Sequence, residues 1–206
     1  MVQVFLFALL FLTYGATPGY AAKKAGNVPH IELLSKATMQ KLIEKGSPSE
    51  QHQILASLSG IWDYDLKYWS KKGSEPQLSN GTVDNKMVLG DRFLSSKINI
   101  ILNIGGQSIP YEGWLFLGYD TIKKAYTSIL IDTMHTGITE GEGQYNRKTK
   151  TLVEKGMFTH PLMDKEHTYR SEIQFTNSNT YKETVFIKDS GGKEFKVLEL
   201  DFHRPH

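Results

Sequence analysis

The sequence predicts a mainly β protein: an antiparallel up-and-down β-barrel of about ten strands, preceded by two short helices. Three observations carry this. From Gly60 onward, apolar residues recur at every second position rather than every third or fourth. Clusters of Gly, Asp, Asn and Ser break that region at spacings of about a dozen residues. No helical pattern separates the strand-like runs, so the crossovers of a parallel sheet are missing. A meander of this length exposes two edges unless it closes, and closure removes them.

The first 21 residues read as a leader. Val4–Tyr14 is almost wholly apolar, then come Gly15, Pro18 and Gly19, then the small residues Ala21 and Ala22. The run is short for a membrane span, which takes roughly 20 residues, and has the length of a signal-peptide core. Met1-Val2-Gln3 lacks Lys and Arg, a weak feature of the match. The expectation is cleavage near Ala21, a periplasmic or secreted protein, and no stable membrane anchor afterwards. Residues 22–59 form an N-terminal helical segment and 60–204 the barrel domain.

In the helical segment, Ile31, Leu34, Thr38 and Leu42 are three or four apart, giving a helix over 30–45 that Gly46 ends. Ser47-Pro48-Ser49-Glu50 then predicts a second helix, with Ser47 as its cap and Glu50 completing a capping box. Ile54, Leu55 and Leu58 form its apolar side. Strands follow near 60–69, 80–88, 92–103, 109–118, 123–133, 136–145, 150–159, 166–176, 180–188 and 194–204. In the first, Trp62, Tyr64, Leu66 and Tyr68 alternate with Asp63, Asp65 and Lys67, which is one dry face and one wet face.

Composition narrows the function by exclusion. The 24 basic and 22 acidic residues leave a formal charge of +2, so no electrostatic footprint for nucleic acid is present. Without cysteine there are no disulfides, thiol nucleophiles or cysteine zinc sites. None of the seven histidines forms a His-x-x-x-His or His-Glu-x-x-His pair, and no metal or cofactor is expected. Gly-x-Ser-x-Gly and phosphate-loop patterns are absent, so no catalytic residue is assigned.

Gly60-Ile61-Trp62 opens the first strand, and Arg204 ends the last, in register with Leu198, Leu200 and Phe202. This pairing resembles the calycins, the lipocalin and fatty-acid-binding superfamily. The resemblance implies that Trp62 plugs one end of the barrel with Arg204 across its ring. A wider likeness runs from Glu50 to Phe202. Its residues are Glu50-Gln51-His52, Gly60, Trp62, Asn85-Lys86, Leu89-Gly90, Arg92-Phe93-Leu94, Tyr111-Glu112-Gly113, Gly118-Tyr119-Asp120, Ile131-Asp132-Thr133-Met134, Gly143-x-Tyr145 and Gly192–Lys196. On these the chain resembles the bacterial family called domain of unknown function 1579. That family implies the fold and no particular activity. Asn146 departs from the pattern, standing where an aspartate is usual.

Candidate ligand-binding residues are His52, Trp114, Tyr126, Ser128, Asp132, Met134 and His135. Tyr126, Ser128, Leu130, Asp132 and Met134 share a strand face, and polar groups in a barrel lumen need a partner or a ligand. The competing reading is that Asp132, Thr133, Thr136 and Gly137 only shape a tight turn. Trp69, Trp114, Phe116, Tyr111, Tyr119 and Tyr126 are candidates for lumen lining, with the inward face left open. The favoured function is non-catalytic binding of a small apolar ligand in the lumen. One alternative is an enzyme acting through Asp132, His135 and Glu140. Another is haem or porphyrin binding through His203 or His135.

Overall fold

The computed structural model describes residues 35–104, 107–160 and 165–205. The leader expected over residues 1–21, and the start of the first helix, lie outside them. Two compact units divide at Lys41 and Leu42.

Helix α1 spans Lys36–Lys45 and α2 Glu50–Ala56. Ser47 does not cap α2. Its hydroxyl donates back to Ile43 O at 2.7 Å, closing the end of α1. The N-cap is Ser49, in extended conformation, and the partner that completes its box is His52 rather than an acidic residue. His52 Nδ1 accepts the Ser49 backbone N–H at 2.9 Å, as a glutamate oxygen would at that position. The ring is buried, edge-on to Tyr119. Burial holds its pKa below the usual histidine value, which suits a neutral acceptor.

Ten strands follow among the described residues: β1 (Gly60–Tyr68), β2 (Gln77–Val88), β3 (Phe93–Ile104), β4 (Gln107–Asp120), β5 (Ala125–Asp132), β6 (Thr139–Asn146), β7 (Thr151–His160), β8 (Lys165–Phe175), β9 (Thr180–Lys188) and β10 (Glu194–His203). Each pairs antiparallel with its sequence neighbours, and β1 pairs with β10, so the sheet is a closed barrel. The closing register runs from Asp63–His203 to Tyr68–Leu198. An ion pair crosses that seam on the outside: Lys67 lies 2.9 Å from Glu199, which also takes Lys196 of its own strand at 2.6 Å and whose carboxyl is held down to about 2 by these amines.

Two turns at the helix-bearing end share a device. Asp120 Oδ1 accepts the N–H groups of Ile122 and Lys123, and Asn146 Oδ1 accepts those of Lys148 and Thr149. In each, a lysine with positive φ (Lys124, Lys150) returns the chain to the next strand. Asn146 therefore does the same turn chemistry as an aspartate.

Register fixes which side chains face inward. Trp62 is buried, and its cross-strand partner Val83 leads through Ile98 and Gly113 to Asp132. Pairing of β2 with β3 stops at Val83–Ile98, and that of β4 with β5 at Gly113–Asp132. The β3–β4 hairpin thus stands clear of its neighbours at the end opposite α2.

Candidate functional site

One end of the barrel is packed shut by residues that the sequence places in an unusual conformation. Gly60 has φ +104°, and a Cβ there would fall inside the Arg204 guanidinium. Because Gly60 has none, Arg204 passes over the indole of Trp62 with Cζ 3.7 Å from the ring centroid. Its Nη2 donates to Ser59 O at 2.7 Å, so the cation is fixed by the backbone as well as by the ring. Beneath, the Trp62 indole N–H donates to Leu58 O at 2.8 Å, joining the plug strand to the chain leaving α2. Tyr181 meets the indole edge-on and stacks on Phe202. With Leu94, Leu117, Tyr126 and Leu152, these residues form a dry floor.

Away from the floor, the inward residues regain accessible surface. Along β1, exposure rises from 1% at Trp62 to 2% at Tyr64 and 8% at Leu66. Ile98, Leu115, Leu130, Val185 and Leu200 all face inward in mid-strand and are only half-buried. A mid-strand inward side chain can be wetted only from inside, so the barrel encloses an accessible lumen.

Between floor and apolar wall lies a polar layer. Tyr64, Ser96, Ser128, Glu154 and Glu183 each stand two residues up their strands from a floor residue, Ser171 stands likewise above Ile173, and Leu115 and Leu200 are the apolar members of the same level. Tyr169 Oη donates to Glu154 Oε1 at 2.7 Å, and Ser171 Oγ donates to Glu183 Oε1 at 2.9 Å. Glycine makes room for this. A Cβ at Gly141 or Gly156 would strike Glu154 or the Tyr169 ring, so these two positions let the tyrosine lie flat against the wall. Burial raises the Glu154 carboxyl above the usual range. Burial, with added repulsion from Glu154, pushes Glu183 up to about 7. The Tyr64 hydroxyl is buried in the same layer without a hydrogen-bond partner.

The family model described as protein of unknown function (DUF1579) matches residues 47–204. The chain belongs to the DUF1579 family. No curated protein matches it. Its fold is similar to the crystal structure of Rv2717c from M. tuberculosis, at 14% identity and a TM-score of 0.57, over 78% of this chain and 100% of that one. It is also similar to the S-type phycobiliprotein lyase CPES from Guillardia theta, at 12% identity and a TM-score of 0.51, over 79% and 96% of the two chains. At such identities the likeness carries the fold alone, a closed antiparallel barrel.

Within this DUF1579 barrel, the residues picked from sequence scatter. Tyr126 and Ser128 face inward, Tyr126 in the floor with Oη 3.2 Å from Gln51 O, Ser128 in the polar layer. Asp132 faces inward far from the floor, near the start of a turn. Its Oδ1 accepts the Met134 and His135 backbone N–H groups and lies 2.8 Å from His135 Nδ1. This is the turn-shaping arrangement already seen at Asp120 and Asn146. His52 caps α2 and does not enter the lumen. Trp114 does not line the lumen either: it faces outward, stacked with Phe116 and covered by Lys97 at 5.3 Å. Trp69 is another outer-wall ring, under Lys196. Glu140 also faces outward, since its neighbour Gly141 is inward, so Asp132, His135 and Glu140 do not converge. His203 pairs with Asp63 on the outer face, which leaves it unable to reach a lumenal ligand. Glu154, Glu183, Tyr169 and Ser171 belong to no motif that the sequence singles out. The signal for Glu183 lies in its phase: it falls at every second position with Tyr181, Val185 and Ile187, on one strand face.

Proposed function

We propose that this barrel is a non-catalytic container that binds a small, mostly apolar molecule in its lumen. The observation that supports it best is the set of half-buried leucines, isoleucines and valines facing inward above a sealed floor. Apolar surface held in contact with water inside a rigid wall gains about 25 cal/mol per Å² when a ligand covers it. The polar layer then fixes which end of the ligand goes down. The Trp62–Arg204 contact serves as the plug that keeps the floor shut. Residues 1–21 act as a cleaved leader, so the container works in the periplasm or outside the cell.

Native mass spectrometry of the protein purified from its own host tests the reading. A one-to-one adduct of small-molecule mass, released by mild activation, supports it. Bare protein, together with no uptake of a neutral dye such as Nile red, contradicts it.

A further inference from the structure

We propose that the helix-bearing end of the barrel docks on an anionic lipid bilayer, which the side chains of Leu42, Ile43, Leu89 and Ile122 enter and a ring of lysines holds. The inference is independent of the container reading, because every residue that it uses lies outside the lumen.

Three chain segments meet at this end, all within the unit that runs from Leu42 to His206. Arg92 Nε donates to Gly46 O at 2.7 Å, and Thr121 Oγ1 donates to Lys45 O at 2.9 Å. These bonds pin the end of α1 against the β2–β3 and β4–β5 turns. Each segment sends aliphatic side chains into solvent: Leu42 and Ile43 from α1, Leu89 from one turn and Ile122 from the other, at 55–72% exposed. The turns that carry them are held from within. Arg92 Nη1 donates to the carbonyls of Leu89 and Gly90, and Asp120 Oδ1 accepts the Ile122 N–H. Single exposed apolar residues are ordinary, but four on segments joined by these bonds make a patch.

The charge around the patch indicates what it faces. Residues 42–46, 89–92, 120–124 and 146–150 include seven basic residues against three acidic ones. Some of these are spent inside the fold: Arg92 on carbonyls, Lys123 on Glu142, Arg147 on Glu50, and Asp120 on turn amides. Lys45, Lys124, Lys148 and Lys150 are exposed and make no ion pair among the described residues, with Glu44 and Asp91 as the remaining acids. Gln144 Nε2 donates to Lys124 O at 3.0 Å, which ties the β6–β7 turn and its lysines to the same end. The excess is local, so the chain's formal charge of +2 does not display it. Aliphatic tips that reach below the phosphates, with amines on long stems that stop at them, suit an anionic bilayer surface. Such attachment is interfacial and reversible.

Co-sedimentation of the protein with vesicles tests this, using phosphatidylcholine alone and phosphatidylcholine containing about one-third phosphatidylglycerol. Binding is expected to be at least about tenfold tighter on the anionic vesicles, with that preference shrinking as salt is raised. Leu89→Ser/Ile122→Ser should weaken binding to the anionic vesicles about tenfold. Lys45→Gln/Lys124→Gln/Lys148→Gln should reduce the preference for them to about twofold or less. Circular dichroism establishes that both variants are folded. No sedimentation with the anionic vesicles, or equal binding to both compositions, overturns the proposal on the wild-type protein alone. Binding that survives in the serine variant overturns the assignment to this surface. A lipid-free dimer that the serine variant dissolves, seen by sedimentation equilibrium, makes a second copy the occupant and overturns the bilayer.

Discussion

The guanidinium of Arg204 reaches the face of Trp62 through the space that a side chain at Gly60 would occupy. First and last strands are therefore locked by three residues, of which one contributes only by lacking a Cβ. Gly60→Ala adds both a steric conflict with the guanidinium and a strained positive φ. It should lower unfolding stability by about 2–4 kcal/mol. Arg204→Met removes the cation–π contact and the bond to Ser59 O, and should cost about 1–3 kcal/mol. Urea unfolding followed by Trp fluorescence checks both, and a Gly60→Ala midpoint equal to that of the wild type contradicts the lock.

Two glutamates should give the stability curve opposite slopes. Glu183 is raised, to about 7, by burial and by Glu154 on β7, with Ser171 of β8 working against this. Its folded-state stability is fully present below about pH 4.5 and is lost as pH rises through 7. The loss is on the order of 2–3 kcal/mol. Glu183→Gln should therefore raise the melting temperature at pH 8 and leave it nearly unchanged at pH 4.5. Glu199, lowered to about 2 by Lys196 and Lys67, contributes stability above pH 4.5 that disappears as pH falls toward 2. Calorimetric scans across this range, on wild type and each Gln variant, resolve the two.

His52 belongs to helix capping. His52→Ala should cost about 1–2 kcal/mol through the lost acceptor for Ser49 N–H and the vacated packing against Tyr119. It should leave Nile red affinity within about twofold, which is less than 0.5 kcal/mol. A tenfold loss of dye binding at unchanged stability would return His52 to the ligand site.

Trp114→Ala should matter little to binding, because its ring lies on the outer wall with Phe116 and Lys97. The expected stability change is below about 1 kcal/mol, as for other partly exposed positions. Iodide quenching of Trp114 fluorescence, unaltered by a bound ligand, checks its placement.

The strands were legible because a half-wet sheet writes its period into the chain: Trp62, Tyr64, Leu66 and Tyr68 against Asp63, Asp65 and Lys67. The β4 strand defeated the same logic. Trp114 and Phe116 on one face and Leu115 and Leu117 on the other are equally apolar, so only pairing with Asp132 and Ser128 decides which is inside. Ser47 and Ser49 both flank Pro48, and the choice between them depended on a histidine nitrogen acting where a carboxylate is expected. Glu154 and Glu183 read as ordinary surface charges, since glutamate within a strand usually faces water. The inward position of Glu154 follows from register with Ser171, a relation between strands rather than within one, whereas Glu183 shares the phase of Tyr181, Val185 and Ile187 on its own strand.

Filling the lumen tests the central claim most directly. Leu115→Trp places an indole at the level of its strand partners Ser96 and Leu130, on β4 and away from the strands that carry Glu154 and Glu183. Titration of Nile red into wild type and Leu115→Trp, with circular dichroism to establish that both are folded, gives the answer. The account predicts saturable one-to-one binding to wild type and a loss of at least about tenfold in the filled barrel, or about 1.4 kcal/mol. Equal binding by the two folded proteins would place the dye outside the lumen and contradict the account.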